Sequence, residues 1–202
     1  MKLYSYVVTH DTGFSPNPFW GWCTLANCKP VIRRTAKVGD WVVGLSTKAD
    51  GNRLIYAMQV EEIVPYDKYY CDCRFAAKIP DYSTGKVVYK RGDKIYKPLP
   101  NGDFQQLQSR HSDGTNENQE TKDKDLKGKN VLISKAFYYF GSRALDLPDI
   151  LNDLRVGRGH KSRFSSAIVS AFIGFINRQT VGVIAPPTDW PCNDDSWKTV
   201  NL

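Results

Sequence analysis

The hydrophobic pattern of the chain is dominated by two runs between Val38 and Val64. Gly39-Asp40 is a turn signal, and Trp41-Val42-Val43-Gly44-Leu45 after it is short, apolar and rich in strand-favouring residues. Lys48 to Asn52 carries Asp-Gly-Asn, side chains suited to a hairpin loop. Beyond it Leu54, Tyr56, Met58 and Val60 fall on every second residue, the spacing that puts side chains on one face of a strand. A β-hairpin that begins with a tryptophan is expected here, with the rest of the chain built around it.

Other segments follow from the same kind of pattern. Leu3 to Thr9 reads as a first strand, closed by His10-Asp11-Thr12-Gly13. Phe14 to Cys23 holds two prolines and one glycine, which forbid regular structure, yet it carries Phe14, Phe19, Trp20 and Trp22. A loop so rich in aromatics either caps the core or lines a site. Cys23 to Lys29 is expected as a short helix closed by Pro30, and Pro65 to Tyr70 as one opened by its proline. Residues 71–129 read as an insertion with one hairpin, a Val87-Val88-Tyr89 strand, and a mobile polar loop at about 109–129. Asn130 to Gly141 returns as a central strand ending in aromatics, and Leu147 to Leu151 as a short helix. From Phe164, the apolar positions 164, 167, 168, 171, 172 and 175 mark one helical face, widened by Val169, Ile173 and Ile176. That helix is expected to be buried over much of its circumference, with Ser162 as N-cap. The tail from Gly182 is expected to lie extended over the surface.

The chain has 202 residues, 41% of them hydrophobic, which suits one domain over 1–202. The formal net charge of +7 favours an anionic partner. From Lys29 to Arg53, six Lys or Arg stand against two Asp, so Arg33 and Arg34 are candidates to face phosphates. Five cysteines, an odd number, with no leader-like apolar segment after Met1, fit a reducing cytoplasmic setting. No run approaches the ~18 apolar residues of a membrane span.

Two constellations carry the candidate chemistry. In Gly157-Arg158-Gly159-His160-Lys161-Ser162-Arg163, glycines allow close backbone approach and Arg158, His160, Lys161 and Arg163 supply charge at the expected helix start, the parts of a phosphate-binding device. It lacks the Gly-x-x-x-x-Gly-Lys spacing of a P-loop. The second is the aromatic set Phe19, Trp20, Trp22 and Trp41 with Phe137 to Phe140, since bases are held by stacking between rings and by hydrogen bonds to their edges. Asn17, Ser46, Thr47 and Ser134 are candidates for those polar contacts. Core packing competes with this reading for every one of the aromatics. Cys23 and Cys28 would fall on different faces of a helix, and Cys71-x-Cys73 is a single pair where a structural zinc needs four ligands. No metal and no cofactor are expected. No nucleophile–base motif stands out, so no catalytic residue is assigned; His10 and His160 are the candidate acid–base groups if there is catalysis.

Asn17-Pro18-Phe19-Trp20-Gly21, Arg33-Arg34-Thr35-Ala36-Lys37-Val38-Gly39-Asp40-Trp41-Val42-Val43-Gly44, Tyr56-Ala57-Met58-Gln59-Val60, Phe137-Tyr138-Tyr139-Phe140-Gly141 and Gly157-Arg158-Gly159-His160-Lys161 together resemble the PUA-like superfamily, which includes the EVE, YTH and ASCH domains. Within it the chain is most similar to the nucleotide modification associated domain, second family. The resemblance covers most of the chain except 71–129 and the tail. It implies an α+β fold, a PUA-like mixed β-barrel flanked by helices, and a role in recognising or processing modified bases or nucleotides. An aromatic cage of Trp20, Trp22 and Trp41 would follow from it; the lysine, threonine and glutamate of ASCH-type hydrolases find no match. The expected function is therefore a reader that binds a modified base in nucleic acid or a nucleotide. A nucleotide- or base-modifying enzyme and a sensor of a small nucleotide signal are the rivals.

Overall fold

The computed structural model describes residues 1–200. The expected hairpin is its centre: β3 (Trp41–Leu45) and β4 (Leu54–Gln59) pair antiparallel, with Val43 opposite Ala57. Gly44 faces Tyr56, whose ring lies where a Cβ on residue 44 would sit, 2.3 Å from its nearest atom. The glycine is thus what lets this tyrosine cross the strand. β1 (Leu3–Val7) adds in parallel to β3, and β9 (Phe137–Tyr139) adds antiparallel to β4. Two-residue edges, β10 (His160–Lys161) and β11 (Gly182–Val183), complete the order β10-β1-β3-β4-β9-β11. Edges this short offer little backbone for further pairing.

A second sheet, β2-β8-β5, is made of β2 (Cys23–Leu25), β5 (Glu62–Pro65) and β8 (Asn130–Ser134). The β4–β5 and β8–β9 segments pass from one sheet into the other together. Gln59 N–H donates to Ala136 O at 3.0 Å and Glu61 N–H to Ile133 O at 3.0 Å, so the ladder survives the bend. The Glu61 carboxylate takes up the N–H groups that the bend releases, at Lys135 and, at 3.1 Å, Ala136. The single long strand expected over 130–141 is therefore two strands. The fold class is α+β, as expected, but no ring of strands closes among the described residues; a corner replaces the barrel.

Side chains alternate across the main sheet. Leu3, Trp41, Val43, Leu45, Ala57 and Tyr138 face one side, against α4 (Ser166–Ile176) and a 3-10 turn, Asp149–Leu154. Tyr4, Tyr6, Val42, Tyr56, Met58 and Tyr139 face the other, against α1 (Pro30–Thr35). α4 is capped by Ser165, whose hydroxyl accepts from Ile168 N–H at 3.3 Å, and not by Ser162. Only Phe172 and Ile176 of α4 are fully buried, about 1.5–3 kcal/mol each; Ile168, Val169, Ile173 and Phe175 are half-buried, less than the pattern implied. The 157–163 turn stands apart from this helix start, because residues 160–161 are an edge strand bonded to β1.

Three local expectations change. Residues 23–25 form a strand, and Pro30 opens a helix where it was expected to close one: its fixed φ and missing N–H suit the first helical position. α2 (Tyr66–Cys71) follows Pro65 as expected, whereas Val87–Arg91 is a 3-10 turn. The expected hairpin in 71–109 is β6 (Tyr96–Pro98) with β7 (Phe104–Gln106). Within the stretch read as a polar loop, the structure forms α3 (Gln119–Leu126), capped by Asn118, whose side-chain oxygen accepts from Thr121 N–H at 2.9 Å.

Candidate active-site cleft

The turn from β2 into α1 carries Cys28 at φ 59° and Lys29 at φ 40°. Left-handed backbone at two consecutive non-glycine residues costs of order 1–3 kcal/mol each and persists only where neighbours hold it. Pro30 forbids the ordinary helical region to Lys29. Hydrogen bonds hold Cys28: its N–H donates to Asp125 Oδ1 at 2.7 Å, and its carbonyl accepts from Arg33 Nε at 2.7 Å. The thiol is thereby presented on a strained strand-to-helix turn, an arrangement that exposes a nucleophile.

Facing the thiol is His111, with Nε2 3.5 Å from Cys28 Sγ and Nδ1 2.6 Å from Asp125 Oδ2. The ring packs edge-on against Phe14 at 4.9 Å, and the His111 carbonyl accepts from Thr121 Oγ1 at 2.6 Å. Asp125 is itself fixed, since Oδ2 also accepts from the Tyr96 hydroxyl at 2.9 Å. Burial pulls the His111 imidazolium toward losing its proton, but the hydrogen bonds to Asp125 and Cys28 outweigh it, and its pKa is pushed up to about 10. At neutral pH both ring nitrogens therefore carry protons, one donated to the carboxylate and one to sulfur. Thiol, imidazole and carboxylate in hydrogen-bonded series are the parts of nucleophilic catalysis.

Sulfur, imidazole and carboxylate ligand atoms here lie within 4.8 Å of one another, so a metal is the other chemistry to test. With Nδ1 held by Asp125, Nε2 and the sulfur are the two atoms a metal would take, so metal binding and the Nε2–Sγ hydrogen bond are competing uses of the same pair.

Arg33, expected to meet phosphate, is wholly buried and spent on protein groups. Besides Cys28 O, it donates to Asp125 O at 2.6 Å, Asn130 O at 2.9 Å and the Tyr66 hydroxyl at 2.5 Å. It is a positioning residue that ties the thiol's turn to the end of α3. A Cβ at Gly128 would lie 2.3 Å from its guanidinium, so this glycine makes room for it.

The three groups open into a cavity of about 570 Å³. Tyr6, Val8, Phe14 and Ile32 give it an apolar wall, and Lys29, Arg110 and Lys124 give it cations. His10 and His160 line it too, so all three histidines of the chain converge on one cleft. These two are the expected residues that the structure brings beside the thiol.

The other expected residues are elsewhere. Trp41 is buried between Tyr138, stacked at 6.3 Å, and Phe172, edge-on at 5.5 Å. Phe19 is fully buried beside Trp20 and Trp190. Trp22 packs on Phe75 with Lys135 over its face at 4.3 Å. Asn17 is buried, accepting from Lys78 Nζ at 2.5 Å and donating to the carbonyls of Gly13 and Arg91. Burial without a close carboxylate partner brings Lys78 down to about 8, although the more distant Asp93 charge opposes the shift. Ser46 and Thr47 bond within their own hairpin loop, at a separate cavity of about 200 Å³ that Ser46 lines. Arg34 is exposed and donates to Lys127 O at 3.2 Å; Lys161 donates to Asp153 O at 2.9 Å; Arg158 and Arg163 are exposed. These aromatic and basic sets do not form one site.

A family model described as nucleotide modification associated domain 2 matches residues 1–194. The chain belongs to this family. The match includes 71–129, where the resemblance in the sequence was weakest, and therefore includes His111 and Asp125. Membership ties the protein to nucleotide-modification systems. No curated protein and no solved structure matches the chain. No helix among the described residues is long and apolar enough to cross a membrane.

Proposed function

We propose that the protein is a thiol-dependent enzyme of a nucleotide-modification system, acting in the cleft around Cys28. The observation that carries this reading is the Cys28–His111–Asp125 series, 3.5 and 2.6 Å between partners, at the wall of an open cavity. Sulfur, entering as the thiolate partner of the His111 imidazolium, attacks an electrophilic carbon of the nucleotide or of the group being transferred. The bond to the leaving group breaks, and the leaving group departs with the Nε2 proton of His111. Water or an acceptor hydroxyl or amine then attacks the same carbon, returns a proton to His111, and releases sulfur. Asp125 keeps the ring aligned through both steps.

Incubation with a panel of modified nucleotides, followed by intact-mass measurement, tests this reading. A covalent adduct on the wild type, absent from Cys28→Ala and formed more slowly in His111→Gln, is the expected result. Turnover that survives Cys28→Ala overturns it. The reader role expected from the aromatic loop is the competing reading; ligand binding with no turnover, and affinity indifferent to Cys28→Ala and His111→Gln, would favour it.

A further inference from the structure

Lys29 adjoins the candidate nucleophile, and its ammonium lacks an anion. Its contact is the face of the Tyr6 ring, 4.6 Å from Nζ. Among the described residues, neither Lys29, Lys124 nor Arg110 lies within ion-pair distance of a carboxylate. The one carboxylate lining the cavity, Asp125, already accepts from Cys28 N–H, His111 and Tyr96. Burial makes the Lys29 charge costly; the sulfur of Cys28 offsets part of that, and Lys124 adds repulsion. Arg110 is an exposed third cation of the cavity lining, and it also repels Arg91 outside the cavity. Like charges gathered without counter-charges at a cavity wall are relieved by a bound anion.

We propose that Lys29, Lys124 and Arg110 bind the phosphate of a single nucleotide, whose nucleoside part lies along Tyr6, Val8 and Phe14 beside Cys28. This rests on the reading of Cys28 as the reactive group. The volume, about 570 Å³, is that of a small-molecule site and takes one nucleotide unit. The apolar wall suits a base or sugar, and the lysines suit a dianion as point charges.

Protection of Cys28 from iodoacetamide reads occupancy without requiring turnover. Labelling is followed peptide by peptide, with exposed Cys71, Cys73 and Cys192 as internal controls. The probes are inorganic phosphate, a deoxynucleoside monophosphate, its nucleoside and a 5′-phosphorylated oligonucleotide. The monophosphate should slow labelling of Cys28 at least tenfold at saturation, at lower concentration than inorganic phosphate, while the nucleoside gives no protection. Lys29→Met should raise the protecting concentration about tenfold, the loss of one charge-assisted contact, and Lys124→Met or Arg110→Met should do so to a smaller degree. Added salt should weaken protection. Equal protection by the nucleoside, by inorganic phosphate alone or by the oligonucleotide but not the monophosphate overturns the proposal. So does wild-type protection in all three variants. Protection with turnover that survives Cys28→Ala would instead leave the phosphate site standing and remove the catalytic reading.

Discussion

The aromatic loop at 14–22 and the turn at 28–29 lie a few residues apart in sequence and differ in what they do. The loop is crowded with the residues that stack on bases, and the structure uses most of them to close the protein. Phe19 is buried beside Trp20 and Trp190 and Asn17 is spent on Lys78 and two carbonyls, while Phe14 is buried at the cleft wall against His111. The turn offers one small thiol, yet its backbone is strained, its carbonyl and N–H are tied down, and its side chain faces an open cleft. Abundance of a suitable residue type is thus a weaker pointer to a site than a costly local geometry maintained around a single reactive atom.

Substitutions can break this comparison. Cys28→Ala should lower turnover by on the order of 10⁴ or more while leaving the melting temperature nearly unchanged; equal losses in both would make the turn structural like the loop. Phe19→Ala and Trp41→Ala should do the reverse, costing about 3–5 kcal/mol in denaturant titrations, with ligand affinity of the remaining folded fraction intact. Arg33→Met leaves the carbonyls of Cys28 and Asn130 without their side-chain donor, whereas Asp125 O keeps the Gly128 N–H at 2.9 Å and the Tyr66 hydroxyl at 3.0 Å; the loss should be about 1–3 kcal/mol for each of the two orphaned groups. Unlike Phe19→Ala, it should also slow iodoacetamide labelling of Cys28 in the protein that still folds, because the thiol's turn is released.

A finer comparison uses pH. The folded-state pKa of His111, about 10, lies above its ordinary value of 6.5. The contribution of its protonated form to stability is therefore fully present below pH 6.5 and fades as pH rises through 10. Melting temperatures of the wild type and His111→Gln should converge across that window, and parallel curves would show that the His111–Asp125 pair adds no proton-linked stability. The smallest effect belongs to Arg158→Ala. An exposed side chain should change stability by less than about 0.5 kcal/mol and nucleotide affinity not at all, whereas a marked loss of affinity would return the 157–163 turn to the site.

Much of the scaffold was legible in the sequence because its signals are local. The Trp41–Leu45 and Leu54–Gln59 hairpin, the first strand, α2 and α4 rest on periodicity and turn chemistry within a few residues. The family followed from combined motifs, and the α+β class from that resemblance. The corner between the sheets did not, because Glu61 capping the break at 135–136 is a long-range bond. The site was hidden for two reasons. Cys28, His111 and Asp125 come from three separated segments, so no motif spacing joins them. Two of them lie in a polar stretch whose helix buries Lys122 and Asp125 and no apolar stripe, leaving no hydrophobic period to find. The signal present was scarcity: three histidines in 202 residues, and a cysteine directly before Lys-Pro.

Arg33 gives the site a temporal property. It joins the carbonyls of Cys28 and Asp125, residues 97 positions apart. While the chain is being synthesised, the first hundred residues contain the thiol but neither its imidazole nor the carboxylate that aligns it. The guanidinium, waiting at residue 33, receives its remaining partners only when α3 and β8 arrive. The reactive centre is consequently a late product of folding: a nascent chain, or one cut between 35 and 109, carries an ordinary cysteine until the second half docks.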